Sequence, residues 1–517
     1  MVRVLIFHGY LLRGTGSNIY NASLVRALLD LGHEVHLLCQ DHDAGALPFI
    51  DAVGTWEGDR LSVDIVREPV RCTAYLPDIG RVLPVYVADP YEHFDAVLFT
   101  ELGDAALAHY VEANVEAVRA VAARARPDVA LANHAVMGPV VLARALGGRV
   151  PYAVKIHGSA LEYTVARDPE RFLPFVREGL AEAGGVLVGS GHTAGRLWSV
   201  LGDPELPEKT RLGPPGVEVR RFRPRSPEER APGLRALAAR LPEDAADWGG
   251  ESGAAKALEA LADGEGPVVS FVGKLIVSKG VELLLAAWPL VLARVPDARL
   301  CVVGFGTLRP ALGRMVELLA AGDLDALAVL ARRGRELEGG PPDEMEHLVA
   351  FLDQLEGTVR DDYLKSAERT AETVFFTGRL EHEDLPDLLG ASAAEVVPST
   401  FPEAFGMVAA EAAACGALPI VAAHSGLAEV SVTLAPALDP RLRALLSFPL
   451  GPTAVTELAE RLVEWLLLPP EKRSKEAAAL AALARGRYGW EGVARGVLAA
   501  AEGRLEDLPR PMAPEAP

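Results

Sequence analysis

Residues 395–422 read EVVPSTFPEAFGMVAAEAAACGALPIVA, and this stretch contains the repeating unit of the fold. The apolar run Glu395–Pro398 predicts a strand, the loop from Ser399 leads into an alanine-rich helical segment, and Leu418–Ala422 predicts the next strand. Strand, helix and strand in this order are typical of parallel sheets that are covered by helices. The stretch therefore predicts the α/β class.

The same alternation occurs in two sets along the chain. The first set of predicted strands is Val2–Phe7, Glu34–Cys39, Asp128–Asn133, Tyr152–Ile156 and Gly185–Gly189. The second set is Val268–Gly273, Leu300–Gly304, Val374–Gly378, Glu395–Pro398 and Leu418–Ala422. The 517 residues are too many for one core, and the proline-rich stretch between the sets predicts a hinge near Pro224. We expect an N-terminal domain at 1–224 and a second domain at 225–485, with a ligand cleft between them.

Composition excludes several classes of partner. The 71 acidic and 51 basic side chains give a net charge of −20, which argues against binding to a nucleic-acid backbone. Four widely spaced cysteines predict neither a zinc site nor a disulfide framework. Because the sequence shows no signal-peptide core and no apolar run of transmembrane length, we expect a soluble, cytoplasmic protein.

Two segments depart from the simple alternation. About 70 residues separate the predicted strands that end at Gly304 and begin at Val374, which predicts a helical insertion at about 309–373. Its apolar residues recur at helical spacing and need a cover, either a neighbouring helix or another subunit, so a homo-oligomer through the insertion is one expectation. They are Met345, Leu348, Val349, Leu352 and Leu355. The proline-rich tail 503–517 is predicted to be disordered.

A glycine-rich turn follows the first predicted strand. Gly14, Thr15 and Gly16 precede a helical pattern, so their backbone N–H groups are candidates to approach a phosphate or a sugar. The alternative is a tight turn with a helix cap. Ile19 stands where the dinucleotide fingerprint needs its third glycine, which disfavours a nicotinamide or flavin site.

Two lysines follow the strand Val268–Gly273. Lys274 and Lys279 come just after the strand end, the place where open α/β sheets bind ligands, and they stand out because only eight of the 51 basic residues are lysines. They predict a pyrophosphate clamp, and ordinary exposed lysines are the alternative. The segment is not a Walker loop, because Leu275 occupies the Ser/Thr position.

The strongest pattern is a pair of glutamates around a helix start. If a helix opens near Phe405, the amides of Phe405, Gly406 and Met407 are free donors at its positive end. Glu403 lies beside them, and Glu411 lies up to ~12 Å further along the helix. The pair is suited to hold hydroxyl groups at opposite ends of a nucleotide sugar. A capping charge and a solvated helix face are the alternative.

This glutamate pair, with Phe405-Gly406-Met407 between its members, resembles the motif of the retaining glycosyltransferases of family 4, which have the GT-B fold. The resemblance implies two Rossmann-like parallel-sheet domains that face each other across a cleft. It further implies that Tyr488-Gly489-Trp490 opens a C-terminal helix, 486–502, that rejoins the N-terminal domain. The stretch from Lys274 to Lys279 resembles the family's pyrophosphate-binding segment, although the family usually has Arg at the position of Lys274. A lysine there keeps the positive charge but replaces the planar fork of Arg, which suits bidentate phosphate contact, with a point charge.

The resemblance also implies roles for single residues. His157 would line the donor sugar, Glu403 would grip it, and Glu411 would hold the ribose. The stretch Gly378, Arg379 and Leu380 would lie along the base. Independently of the family, Asn133 and His134 follow a predicted strand and are candidates to face the acceptor.

The predicted function is retaining transfer of a sugar from a nucleotide-diphosphate sugar, linked to UDP, GDP or ADP, to an acceptor hydroxyl. Lys274 and Lys279 would neutralise the leaving diphosphate in place of a metal, so neither a metal nor another cofactor is expected. A nucleotide-sugar epimerase or a phosphorylase of similar architecture is the alternative, and a non-catalytic sugar-binding protein is a third class. The sugar, the base and the acceptor do not follow from the sequence.

Overall fold

The computed structural model describes residues 1–13, 16–58, 60–86, 93–241 and 250–511. The chain divides into two compact units, one containing Met1–Gly216 and Tyr488–Pro517 and the other containing Val217–Arg487. None of the described helices is long and apolar enough to cross a membrane.

Within the described residues, unit 1 has a nine-stranded sheet. Its strands are β1 (Arg3–Phe7), β2 (Glu34–Leu38), β3 (Ala52–Glu57), β4 (Arg60–Ile65), β5 (Cys72–Leu76), β8 (Val129–Asn133), β9 (Tyr152–Lys155), β10 (Gly185–Val188) and β11 (Thr210–Leu212), and a separate pair contains β6 (Val82–Val85) and β7 (Asp95–Leu98). The order is β11-β10-β9-β8-β1-β2-β5-β3-β4, and of these described strands only β3 and β4 pair antiparallel. β1 is central because Val4, Leu5 and Ile6 are buried and suit a strand covered on both faces.

Helices cover this sheet. They are α1 (Gly16–Asp30), α2 (Asp104–Ala125), α3 (Gly138–Leu146), α4 (Pro169–Ala181), α5 (Gly191–Leu201) and α6 (Leu206–Lys209). Two apolar cores result, and one of them contains the buried face of α1 together with Ala494 and Val497 from the C-terminal end of the chain.

Unit 2 has a six-stranded parallel sheet in the order β14-β13-β12-β15-β16-β17. The strands are β12 (Val268–Val272), β13 (Arg299–Val303), β14 (Val374–Gly378), β15 (Ala394–Val397), β16 (Leu418–Ala422) and β17 (Ser447–Phe448). Its helices are α7 (Pro227–Ala238), α8 (Ala254–Asp263), α9 (Val281–Leu292), α10 (Arg309–Ala321), α11 (Leu324–Arg333), α12 (Glu346–Asp353), α13 (Gly357–Ala367), α14 (Thr370–Thr373), α15 (Leu385–Ala391), α16 (Met407–Cys415), α17 (Ser425–Leu434), α18 (Ala454–Leu466) and α19 (Pro470–Tyr488). The predicted α/β class with two parallel sheets is confirmed, and each predicted strand is present to within one residue at either end.

The boundary between the units differs from the predicted hinge at Pro224. The division follows Gly216, because the next residues pack on unit 2: the Phe222 ring is buried 5.1 Å from the ring of His382, and Arg225 pairs with Asp387. The chain returns to unit 1 with α20 (Trp490–Ala501), which packs against α1, β8, β9 and β10.

The tail prediction is wrong for residues 503–511. The carbonyl of Leu505 accepts a hydrogen bond from Arg211 Nε at 2.8 Å, and the carbonyl of Pro509 accepts one from the N–H of Leu212 at 2.8 Å. Arg510 forms an ion pair with Glu208 at 2.9 Å. These contacts attach the segment to the edge strand β11, while residues 512–517 lie outside the described chain.

Helices α10 to α14 occupy the segment predicted as an insertion. Met345, Leu348, Leu352 and Leu355 from the apolar stripe are buried, and α12 packs against α9, α11 and α18 of the same unit. Helices of the same chain therefore cover the apolar stripe, so the stripe no longer indicates a contact with another subunit.

Candidate functional site

Both lysines and the first glutamate follow strand ends at the point where the strand order of unit 2 reverses. β12 lies beside β15 in the sheet, although two further strands and several helices separate them in sequence. Lys274 and Lys279 follow the carboxyl end of β12, and Glu403 follows that of β15. In open α/β sheets, ligands bind at such a switch point, because the loops on its two sides diverge and leave a crevice.

Lys279 and Glu403 form an ion pair at this point. The Lys279 ammonium donates to Oε1 of Glu403, and the Ser399 hydroxyl donates to the same oxygen at 2.7 Å. Both charged side chains keep about a quarter of their surface exposed, 30% for Lys279 and 25% for Glu403. A cation held in an ion pair and a hydrogen-bonded carboxylate therefore lie side by side, and both are partly exposed.

The main chain of the glutamate loop is braced by the start of α17. The N–H of Glu403 donates to Ser425 Oγ at 2.9 Å, and the N–H of Gly426 donates back to the carbonyl of Glu403 at 3.0 Å. His424 Nε2 donates to the carbonyl of Ser399 at 2.7 Å. These bonds fix the backbone from which the Glu403 carboxylate projects.

The lysine loop and the glutamate loop are in direct contact at Gly280. This residue has φ +67°, and a Cβ there would lie 2.0 Å from the carbonyl oxygen of Pro398. The N–H of Thr400 also donates to the carbonyl of Ser278 at 3.0 Å. Glycine is required because no side chain fits between the two loops, and the close approach holds Lys279 near Glu403.

The helix of the glutamate motif begins at Met407, two residues after the predicted start at Phe405. Gly406 is its N-cap, with φ +130°, and has no side chain with which to cap the first amides. The first turn of a helix has N–H groups without intrahelical partners, and its end carries a partial positive charge. The positive end of α16 therefore lies in the same loop as Glu403.

Lys274 is exposed, and no hydrogen bond or ion pair holds it among the described residues. The loop around it is tied to the helical insertion, because the N–H of Val277 donates to Glu338 Oε2 at 2.8 Å. The structure thus brings Lys279 to Glu403, while Lys274 extends from the same loop as a free cation.

The second glutamate of the motif has a partner that the sequence analysis missed. Glu411 is buried, with its side chain 3% exposed, and its Oε1 accepts a hydrogen bond from His382 Nε2 at 2.7 Å. Burial lowers the pKa of His382, but the hydrogen bond and the charge of Glu411 outweigh it, and the net shift is upward. His382 follows Gly378, Arg379 and Leu380 at the end of β14, and Arg379 forms an ion pair with Glu381 at 2.7 Å.

A third carboxyl lies beneath the switch point and was also missed. Glu395 on β15 is fully buried, and its Oε1 accepts a hydrogen bond from the N–H of Val272 at 2.8 Å. Burial raises the pKa of Glu395 to about 8, and the nearby charge of Glu411 adds to the shift. The pairing of β12 with β15 ends at Ser270 and Glu395, so this carboxyl bridges the two strands where they begin to diverge.

The candidates of unit 1 collect at the carboxyl ends of β1, β8 and β9. His157 Nε2 lies 2.8 Å from Asn133 Oδ1, and the His134 ring lies 4.8 Å from the His157 ring. Burial lowers the pKa of His134 to about 3 and moves the pKa of His157 well below its usual value. Gly16 is the first residue of α1, while Gly14 and Thr15 lie outside the described residues.

Asn133 and His134 are enclosed in unit 1, 2% and 3% exposed. The Asn133 amide donates to the carbonyl of Phe7 at 3.3 Å and to Asn21 Oδ1 at 2.9 Å, besides its contact with His157. The contact of Asn133 and His134 with an acceptor stays a prediction, and the geometry places Asn133 in a chain of internal hydrogen bonds.

Comparison with protein families gives two matches. The model described as "Glycosyl transferases group 1" matches residues 356–477, which include the glutamate motif. The model described as "Glycosyl transferase 4-like domain" matches residues 15–205 in unit 1.

Two curated relatives match over part of the chain. A GDP-mannose-dependent phosphatidylinositol monomannoside mannosyltransferase from Corynebacterium glutamicum is 25% identical over 284 residues, 54% of this chain and 52% of that protein. Mannosylfructose-phosphate synthase from Agrobacterium fabrum is 28% identical over 244 residues, 46% of this chain and 41% of that protein. The chain thus spans about half the length of these relatives or less.

Solved structures share the fold across almost the whole chain. A sucrose-phosphate synthase from Thermosynechococcus elongatus has a TM-score of 0.53 at 21% identity and covers 98% of both chains. The catalytic domain of starch synthase IV from Arabidopsis thaliana, bound to ADP and acarbose, has a TM-score of 0.55 at 14% identity and covers 98% of this chain and 99% of that one. Anabaena HepE, in complex with UDP and glucose, has a TM-score of 0.51 at 16% identity and covers 97% of this chain and 100% of that one.

Both units carry a match, and the glutamate motif lies at the switch point that the fold provides. Residues 15–205 and 356–477 therefore resemble glycosyltransferase domains, and the chain shares the fold of the solved structures named above.

Proposed function

We propose that the protein is a retaining glycosyltransferase that moves a sugar from a nucleotide-diphosphate sugar to an acceptor hydroxyl without a metal. The observation that carries the proposal is the meeting of Lys279, Glu403 and the amino end of α16 at the switch point of unit 2. The HepE structure holds UDP and the starch synthase structure holds ADP, which supports a nucleoside diphosphate as the leaving group.

The lysines would act on the leaving group. As the bond between the sugar and the diphosphate breaks, negative charge develops on the phosphate oxygens, and nearby fixed cations stabilise that charge. Lys279 is held in place by Glu403, and Lys274 extends from the same loop. Two lysines and the positive end of α16 would then supply the stabilisation that a divalent ion provides in other enzymes.

Glu403 would bind the sugar rather than attack it. Its Oε1 is already bound by Lys279 and Ser399, and such contacts lower the nucleophilicity of a carboxylate. A same-face substitution through an oxocarbenium-like state fits this arrangement. In that step the bond from the anomeric carbon to the diphosphate oxygen breaks, the acceptor oxygen bonds to the same face, and the leaving phosphate oxygen takes the acceptor's proton.

Glu411 would hold the ribose, with His382 as its partner, and residues 378–380 would lie along the base. His157 in unit 1 would contact the donor sugar. The mannosyltransferase relative is named as GDP-mannose-dependent and HepE was solved with UDP, so the base and the sugar are open to experiment.

The test is a panel of UDP-, GDP- and ADP-sugars, with release of nucleoside diphosphate and thermal stabilisation as readouts. We expect one donor to stabilise the protein and to be cleaved with chelator present. Glu403→Gln should abolish turnover, and Lys279→Ala should lower it by about 10² to 10³-fold, as for loss of one oxyanion donor.

Two exposed residues of α8 provide matched controls. Glu259→Gln and Lys256→Ala change the same chemical groups on the surface of unit 2 and should leave turnover unaltered. Loss of activity with chelator would contradict the lysine account. Conversion of the donor to an isomer without an acceptor would indicate an epimerase, and an absorbance band of a pyridoxal-linked lysine would indicate a phosphorylase.

A further inference from the structure

Unit 1 contains a continuous row of hydrogen-bonded amides and imidazoles, of which the proposed function uses only His157. It runs from His157 after β9, through Asn133 and Asn21, to His8 and Asn18. The links measure 2.8 Å, 2.9 Å, 3.0 Å and 3.0 Å in that order. Except for His157, every member is 3% exposed or less.

Backbone carbonyls determine the direction of each hydrogen bond, because a carbonyl oxygen only accepts. Asn18 Nδ2 donates to the carbonyl of Arg13 at 2.6 Å, so Asn18 Oδ1 is the atom that accepts from His8. His8 Nε2 also lies 2.9 Å from the carbonyl of Leu11, so this nitrogen carries the proton. The Nδ1 of a neutral His8 is then an acceptor.

The same reasoning orients the other two amides. Asn21 Nδ2 donates to the carbonyl of Ser17 at 2.9 Å, so it also donates to His8 Nδ1, and its Oδ1 accepts. Asn133 Nδ2 donates to the carbonyl of Phe7 and to Asn21 Oδ1, which leaves Asn133 Oδ1 facing His157. An amide oxygen requires a donor, so His157 Nε2 must carry a proton.

The protonation state of the second ring nitrogen of His157, Nδ1, follows by elimination. Burial, with the charges of His134, Lys155 and His8 as smaller causes, moves the pKa of His157 well below its usual value, so the ring is neutral at pH 7. A neutral ring with a proton on Nε2 has an unprotonated Nδ1. No hydrogen bond to a described residue uses this Nδ1, so it is free to accept one.

We propose that Asn133 and Asn21 are positioning residues that lock His157 in the Nε2–H tautomer, so that its Nδ1 accepts a hydrogen bond from a ligand. The group it receives must carry a proton, which selects a hydroxyl and excludes a carboxylate or a phosphate. This identification of the ligand group as a hydroxyl of the donor sugar rests on the proposed function. The tautomer itself does not.

The row of hydrogen-bonded side chains also links His157 to the loop after β1. Its far end is held by the carbonyls of Leu11 and Arg13, just before the glycine turn. Asn18 and Asn21 lie one turn apart on α1, which places both amides on the face toward β1 and β8. The orientation of the His157 ring is therefore set by residues distant in sequence.

The test is the protonation of the His157 ring in the full chain without ligand, labelled with ¹⁵N-histidine. Long-range ¹H–¹⁵N spectra distinguish a protonated from an unprotonated ring nitrogen, and His157→Gln identifies the signals. We expect Nε2 protonated, Nδ1 bare and no titration of this ring between pH 6 and 8. A proton on Nδ1 in the wild type, or an ordinary titration, would overturn the proposal without any variant.

Asn133→Asp tests the positioning role. A carboxylate beside Nε2 stabilises the imidazolium, so we expect the His157 pKa to rise and Nδ1 to gain a proton. Asn114→Asp is the matched control: Asn114 is also buried and donates to a carbonyl, that of Tyr110 at 2.8 Å, but it has no link to His157. An unchanged His157 spectrum in a folded Asn133→Asp variant would refute the role of Asn133.

Activity gives a second readout. We expect Asn133→Asp to lower turnover of the donor about tenfold or more while nucleoside diphosphate binds to unit 2 as in the wild type, and the Asn114 variant to keep both. If no nucleotide sugar is cleaved by the wild type, the proposed function fails, but the NMR result still decides the tautomer.

Discussion

Replacement of Lys155 by methionine should stabilise unit 1 in a manner that depends on pH. Lys155 lies on β9 with 2% of its surface exposed. Its Nζ donates to the carbonyl of Gly213 at 2.5 Å and lies 5.6 Å from the centre of the Tyr20 ring. Burial lowers the pKa of Lys155 from 10.5 to about 7, because the charged form loses its hydration.

The size of the effect follows from the two pKa values. The unfolded chain keeps the value of 10.5, so the difference of 10.5 − 7 is about 3.5 pKa units, or about 5 kcal/mol at 1.36 kcal/mol per unit. The folded pKa is depressed, so the unfolded state binds the extra proton between pH 7 and 10.5. The free energy of unfolding of the wild type therefore rises with pH across this window, and below pH 7 the full cost of about 5 kcal/mol remains.

The methionine side chain of the variant has no charge to bury, so it should escape this cost and lose only the hydrogen bond to Gly213, about 1 kcal/mol. The advantage of Lys155→Met over the wild type should shrink by about 2 kcal/mol between pH 7 and pH 9, because the folded wild type is already half deprotonated at pH 7. Urea unfolding of both proteins at pH 6, 7, 8 and 9 measures this difference in the free energy of unfolding.

Lys209→Met provides the control, because the Lys209 Nζ also donates to a carbonyl, that of Ala181 at 2.9 Å, but at the surface. Its effect on the free energy of unfolding at each pH is the baseline against which the effect of Lys155→Met is compared. A stability advantage of Lys155→Met that stays constant or grows with rising pH would show that Lys155 is not a buried charge with a lowered pKa.

Substitutions at three further residues test the site in unit 2. Gly280→Ala should lower the melting temperature, since the new Cβ meets the Pro398 carbonyl at a positive φ, which costs more than about 1 kcal/mol; an unchanged melting temperature would contradict the close contact. The folded wild type must keep the Glu395 carboxyl protonated, so its free energy of unfolding should fall as pH rises from about 4.5 to about 8. Glu395→Gln should fold normally and lose this pH dependence. Urea unfolding at several pH values measures it, and the same pH dependence in the variant would contradict the burial of a protonated carboxyl. His382→Ala should weaken binding of the nucleoside diphosphate about tenfold, as measured by calorimetry, because the hydrogen bond to Glu411 is lost. His382→Gln keeps a hydrogen-bond donor and should bind nearly as the wild type does. Equal binding by the wild type and both variants would exclude a role of His382 in orienting Glu411.

The sequence predicts the central strands well, because parallel strands covered on both faces are nearly continuous apolar runs. The strands between Ala52 and Leu98 were not predicted. Exposed positions interrupt both β3 and β4, and β4 lies at the sheet edge, so neither is a continuous apolar run. Such strands are stabilised by their neighbours more than by their own composition.

Part of the site follows from sequence and part does not. Lys279 and Glu403 follow strand ends that meet at a switch point, so a strand prediction combined with a glutamate motif suffices to name both. Their ion pair, and the bond from His382 to Glu411, join residues that are far apart in the sequence and need the folded chain. Lys155 could have been found, since a lysine inside the apolar run Tyr152–Ile156 stands out in a chain with few lysines.

The interior polar chain of unit 1 shows the same limit. His157 is marked by its place after a strand, but Asn21 and His8 carry no pattern of their own. They become recognisable only when β1, β8 and α1 bring their side chains to one place. Prediction from sequence finds the residue that meets the ligand more easily than those that orient it.

We expect a nucleoside diphosphate to bind at the switch point of unit 2. The direct measurement is a crystal structure of the chain with the nucleoside diphosphate that stabilises it most. We expect phosphate oxygens within hydrogen-bonding distance of Lys274, Lys279 and the first amides of α16. A nucleotide bound elsewhere, or one whose phosphates lie away from both lysines, would contradict it.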